Sequence, residues 1–387
     1  MCHRNPQNPS QHVVGIILAA GQASRMGDVK PIMPLDGVSS LERLINAYRA
    51  AGITDIRIVL GYHATAITAF LEAHSLNKEV RIVINEEPSR GMFSSVQTAF
   101  KTFDSTVTGA FIIPADIPLV KTETIQYLLE EAMQNPTDLL LPTFAGQRGH
   151  PPWIPSSYFQ AICEAPTERS TLRDIFNEKV LEIPCADSGI LMDMDTPENY
   201  TALCEFAGIR DYPTLEECHA IWSLLHVPEP VRKHSTEVAQ IALTIGRLIN
   251  HKTHLSLNLD KLCAAAMLHD IMKGSADHAK AGAEVVTKFG YVGIADAIGK
   301  HMKFHIANAP EMIDLDIAAI LYLSDKLCME DVCISLSLHC QSAMARYPEA
   351  AARFIKERFQ TAALLQRTIE ALTQIESLDA YLSRRSV

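Results

Sequence analysis

The chain has 387 residues, 48% of them hydrophobic and 20% charged, a balance that excludes overall disorder and leaves room for two or three domains of about 150 residues. A formal net charge of −11, from 34 Lys+Arg against 45 Asp+Glu, excludes a general nucleic-acid binder, whose affinity rests on cationic contacts to phosphates. No run reaches the roughly 18 apolar residues of a membrane span, so no membrane is expected as a partner.

In chain order, Val13–Ala19 is an apolar run ending in small residues, which predicts a buried strand. Ser40–Ala51 has apolar residues at helical spacing and Gly52 as a stop. Asp55–Leu60 predicts a strand and Ala64–Ala73 a helix. Val80–Ile84 and Gly109–Ile113 predict strands, with a helix over Ser94–Phe103 between them. Thr122–Met133 predicts a helix and Leu139–Leu141 a strand. Strands alternating with helices mean an α/β domain with a mostly parallel sheet, whose sites lie at the carboxyl ends of the strands. From there on the pattern is helical: Val231–Asn250, Asp260–His269, Asp277–Phe289, Ile294–His301, Leu315–Lys326 and Glu349–Leu382, an all-α domain.

Composition changes where the pattern does. Fifteen of 20 prolines and 12 of 18 glycines fall in 1–212, whereas ten of 15 histidines fall in 213–387. The junction Gly208–Pro213 carries Gly, Pro and charges, so domains over 1–212 and 213–387 are expected. Met1–His12 is polar, without the apolar stretch of a secretory signal. Nine scattered cysteines form no C-x-x-C pair. Both features point to reduced thiols in a cytoplasmic protein.

Leu18-Ala19-Ala20-Gly21 and the residues up to Gly27 directly follow the first strand. Small residues let backbone N–H groups approach an anion, and Arg25 and Lys30 add charge able to neutralise a triphosphate. The same stretch also suits a tight strand-to-helix turn with two surface cations. Asp116, between two prolines after a strand, is the best carboxylate for Mg²⁺ or else a turn cap. Asp193 and Asp195 are candidates for a second ligand, with Asp195 also placed to cap the helix from Pro197. Ser94 and Ser95 can cap a helix, contact a nucleotide, or both.

Together these pieces resemble the MobA-like nucleotidyltransferases over about residues 13–203. The matching stretches are LAAGxxxRMGxxK from Leu18, Gly91 to Val96, Pro114-Ala115-Asp116-Ile117-Pro118, Arg148-Gly149-His150-Pro151-Pro152 and Asp193-Met194-Asp195-Thr196-Pro197-Glu198-Asn199. The resemblance implies a Rossmann-like sheet of the nucleotide-diphospho-sugar transferase type. It implies Arg25, Lys30 and Asp116 as catalytic residues, and nucleotide contacts from Leu18, Ala19, Ala20, Gly21, Gly91, Ser94 and Ser95. It implies acceptor contacts from Gly149, His150 and Pro151, and Mg²⁺ held by Asp116 with Asp193 and Asp195. The Leu18–Gly21 form is the one found in cytidylyl members, so CTP is the favoured nucleoside triphosphate. The small phosphorylated acceptor it implies is molybdopterin carrying molybdenum, with a molybdoenzyme or its maturation chaperone as a partner. Two departures, Asn199 for an aspartate and Thr171–Asp174 for a small-residue element, keep a sugar phosphate, a phosphonate or a phosphoalcohol open as acceptor.

In the second half, His234, His269, Asp270, His278, His301 and Asp325 fall at or near predicted helix ends, where side chains of several helices converge. Imidazoles and carboxylates suit Mn, Fe or Mg. The order H…HD…H…H…D resembles the HD-domain metal-dependent phosphohydrolases over about 213–340, with His269 to Lys273 close to their HDIGK variant. That resemblance implies one or two divalent metals, His278 and His301 being the extra histidines of two-metal members. It implies hydrolysis of a phosphate ester or nucleotide, the other reading being a non-catalytic nucleotide sensor. Lys273 can steady a substrate phosphate or stand solvated at a helix end. His251, His254, His305 and His339 are read as surface residues.

Overall fold

The computed structural model describes residues 12–22, 29–168, 170–176, 180–304 and 315–384. The chain divides into two compact units, Met1–Ile209 and Arg210–Val387.

In the first unit, one eight-stranded sheet contains β1 (His12–Ala19), β2 (Asp55–Leu60), β3 (Arg81–Ile84), β4 (Val107–Pro114), β5 (Leu139–Phe144), β6 (Gln147–Arg148), β7 (Trp153–Pro155) and β8 (Val180–Pro184). The strand order is β8-β5-β7-β4-β1-β2-β3, with β6 paired to β5. The pairs among β4, β1, β2 and β3, and that of β5 with β8, are parallel; β6 and β7 run antiparallel to their neighbours. From β1 the chain moves outward through β2 and β3, then returns to lay β4 on the other side of β1. The order therefore reverses at β1, and Leu18 is in register with both Val59 and Pro114. In such sheets the ligand crevice opens at that reversal, beyond the carboxyl ends of the strands.

Helices α1 (Ser40–Ala50), α2 (Ala64–Ala73), α3 (Met92–Phe100), α4 (Thr122–Gln134), α5 (Phe159–Glu164), α6 (Leu172–Ile175) and α7 (Pro197–Ala207) complete the unit. The period of two along β1 separates its faces. Val14, Ile16 and Leu18 pack with Phe93 and Val96 of α3, whereas Gly15, on the other face, lies against the ring of Tyr48 in α1. Asn85, at the carboxyl end of β3, donates to Ser94 Oγ and Ser95 Oγ at 2.8 and 3.0 Å and so moors the start of α3.

The second unit is a helical bundle: α8 (Leu215–Leu224), α9 (Glu229–Lys252), α10 (Leu259–Leu268), α11 (His278–Lys288), α12 (Val292–Lys300), α13 (Ile317–Lys326), α14 (Leu336–Arg346), α15 (Ala352–Thr373) and α16 (Leu378–Ser383). Helix α9 packs against α10, α13 and α15, and α10 against α12 and α13. A two-residue hairpin pairs Cys328–Met329 with Val332–Cys333.

The structure alters several expected elements. Helix α3 runs from Met92 to Phe100, two residues ahead of the expected Ser94 start, with Gly91 at φ 91° as its N-cap. Strand β5 extends to Phe144. The long helix expected over Glu349–Leu382 is broken at Gln374, in the left-handed conformation at φ 55°, and restarts at Leu378 after a Ser377 cap. No Gly or Pro marks that break. Thr196, not Asp195, caps α7, its side chain accepting from Asn199 N–H. Among the described residues no helix is long and apolar enough to cross a membrane.

Gly109 on β4 is where packing leaves no latitude. A Cβ there would lie 2.1 Å from Cη2 of Trp153, whose own exposure is 1%. A buried indole cannot swing aside, so Gly109→Ala is expected to cost about 3 kcal/mol. Differential scanning calorimetry should show a transition moved down, and an unchanged Tm would contradict this packing.

Candidate active sites

The first site lies at the strand-order reversal of the α/β unit, as a cleft of ≈ 400 Å³. Leu18, Ala19, Ala20 and Gly21 line it, together with Lys30, Gly91, Ser95 and Asp116. Two backbone features bring the loops together. Ala115 N–H donates to Leu18 carbonyl at 2.9 Å, and Met194 N–H donates to Asp116 carbonyl at 3.0 Å. Close approach is enforced at Gly61 too, where a Cβ would sit 2.7 Å from the Ala20 carbonyl oxygen. Arg25 lies outside the described residues.

Lys30 Nζ meets Asp195 Oδ1 at 2.8 Å. Burial pushes the Asp116 carboxyl up, Lys30 pulls it back, and Asp195 and Asp193 add to the rise. Two acidic neighbours around a half-buried carboxylate make a place where a cation is welcome. Asp193 Oδ1 accepts from Asn199 Nδ2 at 2.9 Å. The departure at Asn199 thus supplies a donor where an aspartate would add a like charge. The three carboxylates do not close into a metal cage of their own, since the described groups with ligand atoms within 4.8 Å of one another are all in the second unit. That suits Mg²⁺, which usually takes one or two carboxylates and completes its shell with substrate phosphates and water.

Other candidates are placed differently. Ser94 Oγ is turned away from the cleft lining, donating to Gly91 carbonyl at 2.7 Å and accepting from Asn85. It is neither the helix N-cap nor a cleft residue, because Gly91 already starts the helix. Gly149, His150 and Pro151 are not among the lining residues either. Gly149 has no room for a Cβ, with Ile190 carbonyl oxygen 2.6 Å from that position. His150 N–H donates to Ile190 carbonyl at 3.0 Å, and burial pushes its imidazole pKa down. Asp174, in the departing Thr171–Asp174 stretch, accepts from both Thr171 N–H and Thr171 Oγ1 and so ties the first turn of α6 to its N-cap Thr171. Sequence reasoning missed Asn85, Tyr62 and Met92; Asn85 and Tyr62 stand just past strand ends, where a closer reading of the loops would have looked.

The second site gathers all six ligand candidates at helix ends of the bundle. Three rings are held the same way round. Nδ1 of His234, His269 and His301 meets the carbonyls of Glu330, Ala266 and Ile298 at 2.6, 2.7 and 2.7 Å. A carbonyl only accepts, so Nδ1 carries the proton of each neutral ring and Nε2 offers its lone pair to the centre. His269 is fully buried, and its Nε2 has no hydrogen-bond partner. An inward, unsatisfied imidazole nitrogen beside carboxylates is the arrangement a metal ion satisfies.

Asp270, 2% exposed, divides its two oxygens. Oδ2 faces His269 at 3.6 Å and His234 at 3.7 Å; Oδ1 faces His278 at 3.3 Å and His301 at 3.6 Å. Asp325 Oδ1 lies 3.2 Å from His234 Nε2 and 3.5 Å from His269 Nε2. Burial alone would raise the Asp270 pKa, but the surrounding imidazoles outweigh it and hold this carboxyl well below the usual range. The donor set fits two ions, one toward His234, His269 and Asp325, the other toward His278 and His301, with Asp270 able to reach both.

Two lysines press on these carboxylates. Lys273 Nζ is paired with Asp270 Oδ2, so it is not a merely solvated helix-end residue. Lys326, almost fully buried, is paired with Asp325 Oδ2; sequence reasoning passed over it because it has no spacing of its own. His339 is corrected from its surface reading. It is half-buried, its Nδ1 donates to Lys326 carbonyl at 2.9 Å, and it lines the same cavity. His251 and His254 are exposed, and His305 lies outside the described residues.

Residues 15–183 match the family described as a MobA-like NTP transferase domain, and residues 231–330 match the HD domain. The chain carries a nucleotidyltransferase domain followed by an HD domain. "Bifunctional protein GlmU" of Pseudomonas syringae pv. syringae (strain B728a) is 33% identical over 34% of this chain and 27% of its own length. The Pseudomonas putida (strain GB-1) protein of that name is 29% identical over 35% and 29%. The chain thus spans under a third of the length of these curated relatives. Among solved structures, Rv0371c from Mycobacterium tuberculosis H37Rv is 23% identical with a TM-score of 0.45, covering 51% of this chain and all of that one. Molybdopterin-guanine dinucleotide biosynthesis protein A from Archaeoglobus fulgidus is 16% identical with a TM-score of 0.41, covering 50% of this chain and 98% of that one.

A divided ligand set has a stoichiometric consequence. The 387-residue chain purified anaerobically is expected to hold about two equivalents of divalent metal, falling to about one in His278→Ala. One equivalent in the wild type, unchanged by the substitution, would contradict the division of the site.

Proposed function

We propose that the transferase half moves CMP from CTP to the phosphate of molybdopterin carrying molybdenum, and that the HD half hydrolyses a phosphate ester or nucleotide. The transfer reading is supported by the meeting of the Leu18–Gly21 loop, Lys30 and Asp116 in one cleft at the strand-order reversal. The choice of CTP and of the acceptor is supported by the likeness of the LAAG form to cytidylyl members. An oxygen of the acceptor phosphate attacks the α-phosphorus of the triphosphate, and the bond to the β-phosphate breaks to release pyrophosphate. Both partners are anions, so their charges must be neutralised. Mg²⁺, when bound at Asp116 with help from Asp193 or Asp195, supplies that neutralisation and steadies the leaving group. The loop N–H groups and Lys30 hold the triphosphate, and Lys30 must be shared with Asp195 to do so. Free cysteines among the described residues suit a cytoplasmic enzyme.

In the HD half, His234, His269 and Asp325 would hold one ion, His278 and His301 a second, and Asp270 would serve both. Bound there, the metal lowers the pKa of water and so provides a nucleophile toward phosphorus. The protein's part is to keep the imidazoles oriented through their Nδ1–carbonyl bonds. Lys273 and Lys326 offset negative charge around the carboxylates.

Pyrophosphate release from the full chain with Mg²⁺, each nucleoside triphosphate in turn and a panel of phosphorylated acceptors tests the transfer reading. CTP with the molybdenum cofactor should be the fastest pair, and turnover with a sugar phosphate instead would replace the acceptor. Asp116→Asn keeps the shape and removes the charge, so release should fall by roughly a hundredfold or more. Near-normal release from that variant would overturn the role of Asp116.

A further inference from the structure

The cavity at the HD centre extends well past the ligand cluster, to ≈ 970 Å³. One wall is built from α14, α15 and the segment between them, which lie beyond residues 231–330 matched as the HD domain. Arg358 of α15 lines this wall, and among the described residues it forms no ion pair. Its Nε is buried without a hydrogen-bond partner, and its Nη2 has the Met302 sulfur at 3.4 Å. Met302 follows His301, and Arg358 and His301 line the same cavity. The backbone carbonyl of Arg358 accepts from Tyr322 hydroxyl at 2.9 Å, which fixes the root of the side chain. Desolvating a cation with no counter-charge is costly, and an anion bound in the cavity removes that cost.

Aromatic side chains stand on the same wall. Phe354 is 46% exposed and Tyr347 is 57% exposed, both lining the cavity rather than packed in the core. The Phe354 ring lies 5.5 Å from Arg358 Cζ. Exposed ring faces beside an unpaired guanidinium match a ligand that is anionic at one end and flat and aromatic at the other. An inorganic phosphate would leave most of the volume empty and the ring faces uncovered.

We propose that α14, α15 and their connection form the recognition wall for a nucleotide, with Arg358 holding its phosphate and Phe354 and Tyr347 carrying its base. The proposal rests on the phosphohydrolase reading of the HD half and names the substrate class of that same cavity.

The test is calorimetric titration of the full chain with Mn²⁺. The ligands are the 5′-methylenephosphonates of adenosine and cytidine, whose C–P bond resists hydrolysis, and methylphosphonate as the base-free control. Arg358 belongs to the second compact unit, so a difference between wild type and an Arg358 variant reports on this cavity and not on the transferase cleft. Arg358→Ala should weaken binding of the nucleoside phosphonates about tenfold or more. Arg358→Lys, which keeps the charge and the fold, should recover part of that loss. Phe354→Ala, a change at an exposed ring, should weaken the nucleoside phosphonates about fivefold and leave methylphosphonate unchanged. Isotherms of the wild type and both alanine variants that superimpose, or a wild type that binds neither nucleoside phosphonate in this cavity, overturn the proposal. Hydrolysis of the corresponding nucleoside monophosphates is measured in parallel. Variant-sensitive binding without any hydrolysis would keep the recognition wall and reject the phosphohydrolase reading, whereas hydrolysis with superimposed isotherms would do the reverse.

Discussion

A carboxylate that is 2% exposed must be compensated, and Asp270 meets Lys273 at Oδ2 and inward-turned imidazole Nε2 atoms on two sides, so a cation shared with those rings completes the compensation. Everything else in the HD half follows from that constraint. The rings must face inward, so their Nδ1 atoms are spent on carbonyls at the ends of α10 and α12 and on the hairpin after α13. The helices must end where they do, because only a helix terminus leaves carbonyls free to accept such bonds. Lys326 then sits against the outer oxygen of Asp325, and Lys273 against the Asp270 oxygen that faces His234 and His269. A site of this kind is stable only when positive charge occupies its centre, and that is what makes metal ions its natural occupants.

The transferase half solves a different problem with backbone rather than side chains. A parallel sheet places the loops after β1 and β4 side by side, and the reversal of strand order leaves a gap between them. The Ala115–Leu18 and Met194–Asp116 backbone bonds then set the acidic D-x-D stretch beside Asp116 without a direct bond between carboxylates. Lys30 lies between the cleft and Asp195, so a charge partner is already in place before any phosphate arrives.

Much of this was legible in the sequence, for identifiable reasons. The apolar runs of β1 and β4 are long because both faces of a parallel sheet are covered, and the helical spacing of α9, α11 and α12 is regular because each buries one stripe. The six HD candidates were legible because they fall at or near helix ends and in the order H…HD…H…H…D. Less local features were not. The strands β6 and β7 carry too few residues to show a period, and β8, Val-Leu-Glu-Ile-Pro, has its apolar run cut by Glu182 and ends in proline. The break at Gln374 has no Gly or Pro to announce it. Ser94 looked available to a ligand, but Asn85, nine residues away, claims its hydroxyl. Arg358 and His339 join the HD cavity only through tertiary folding, and nothing in their neighbourhood of the sequence marks them.

Anomalous diffraction at the manganese edge, from crystals of the full chain grown with Mn²⁺, tests the central claim most directly. Two peaks about 3.5–4 Å apart are expected on either side of the Asp270 carboxylate, one toward His234, His269 and Asp325 and the other toward His278 and His301. A single peak, or peaks that leave Asp270 uncoordinated, would contradict it.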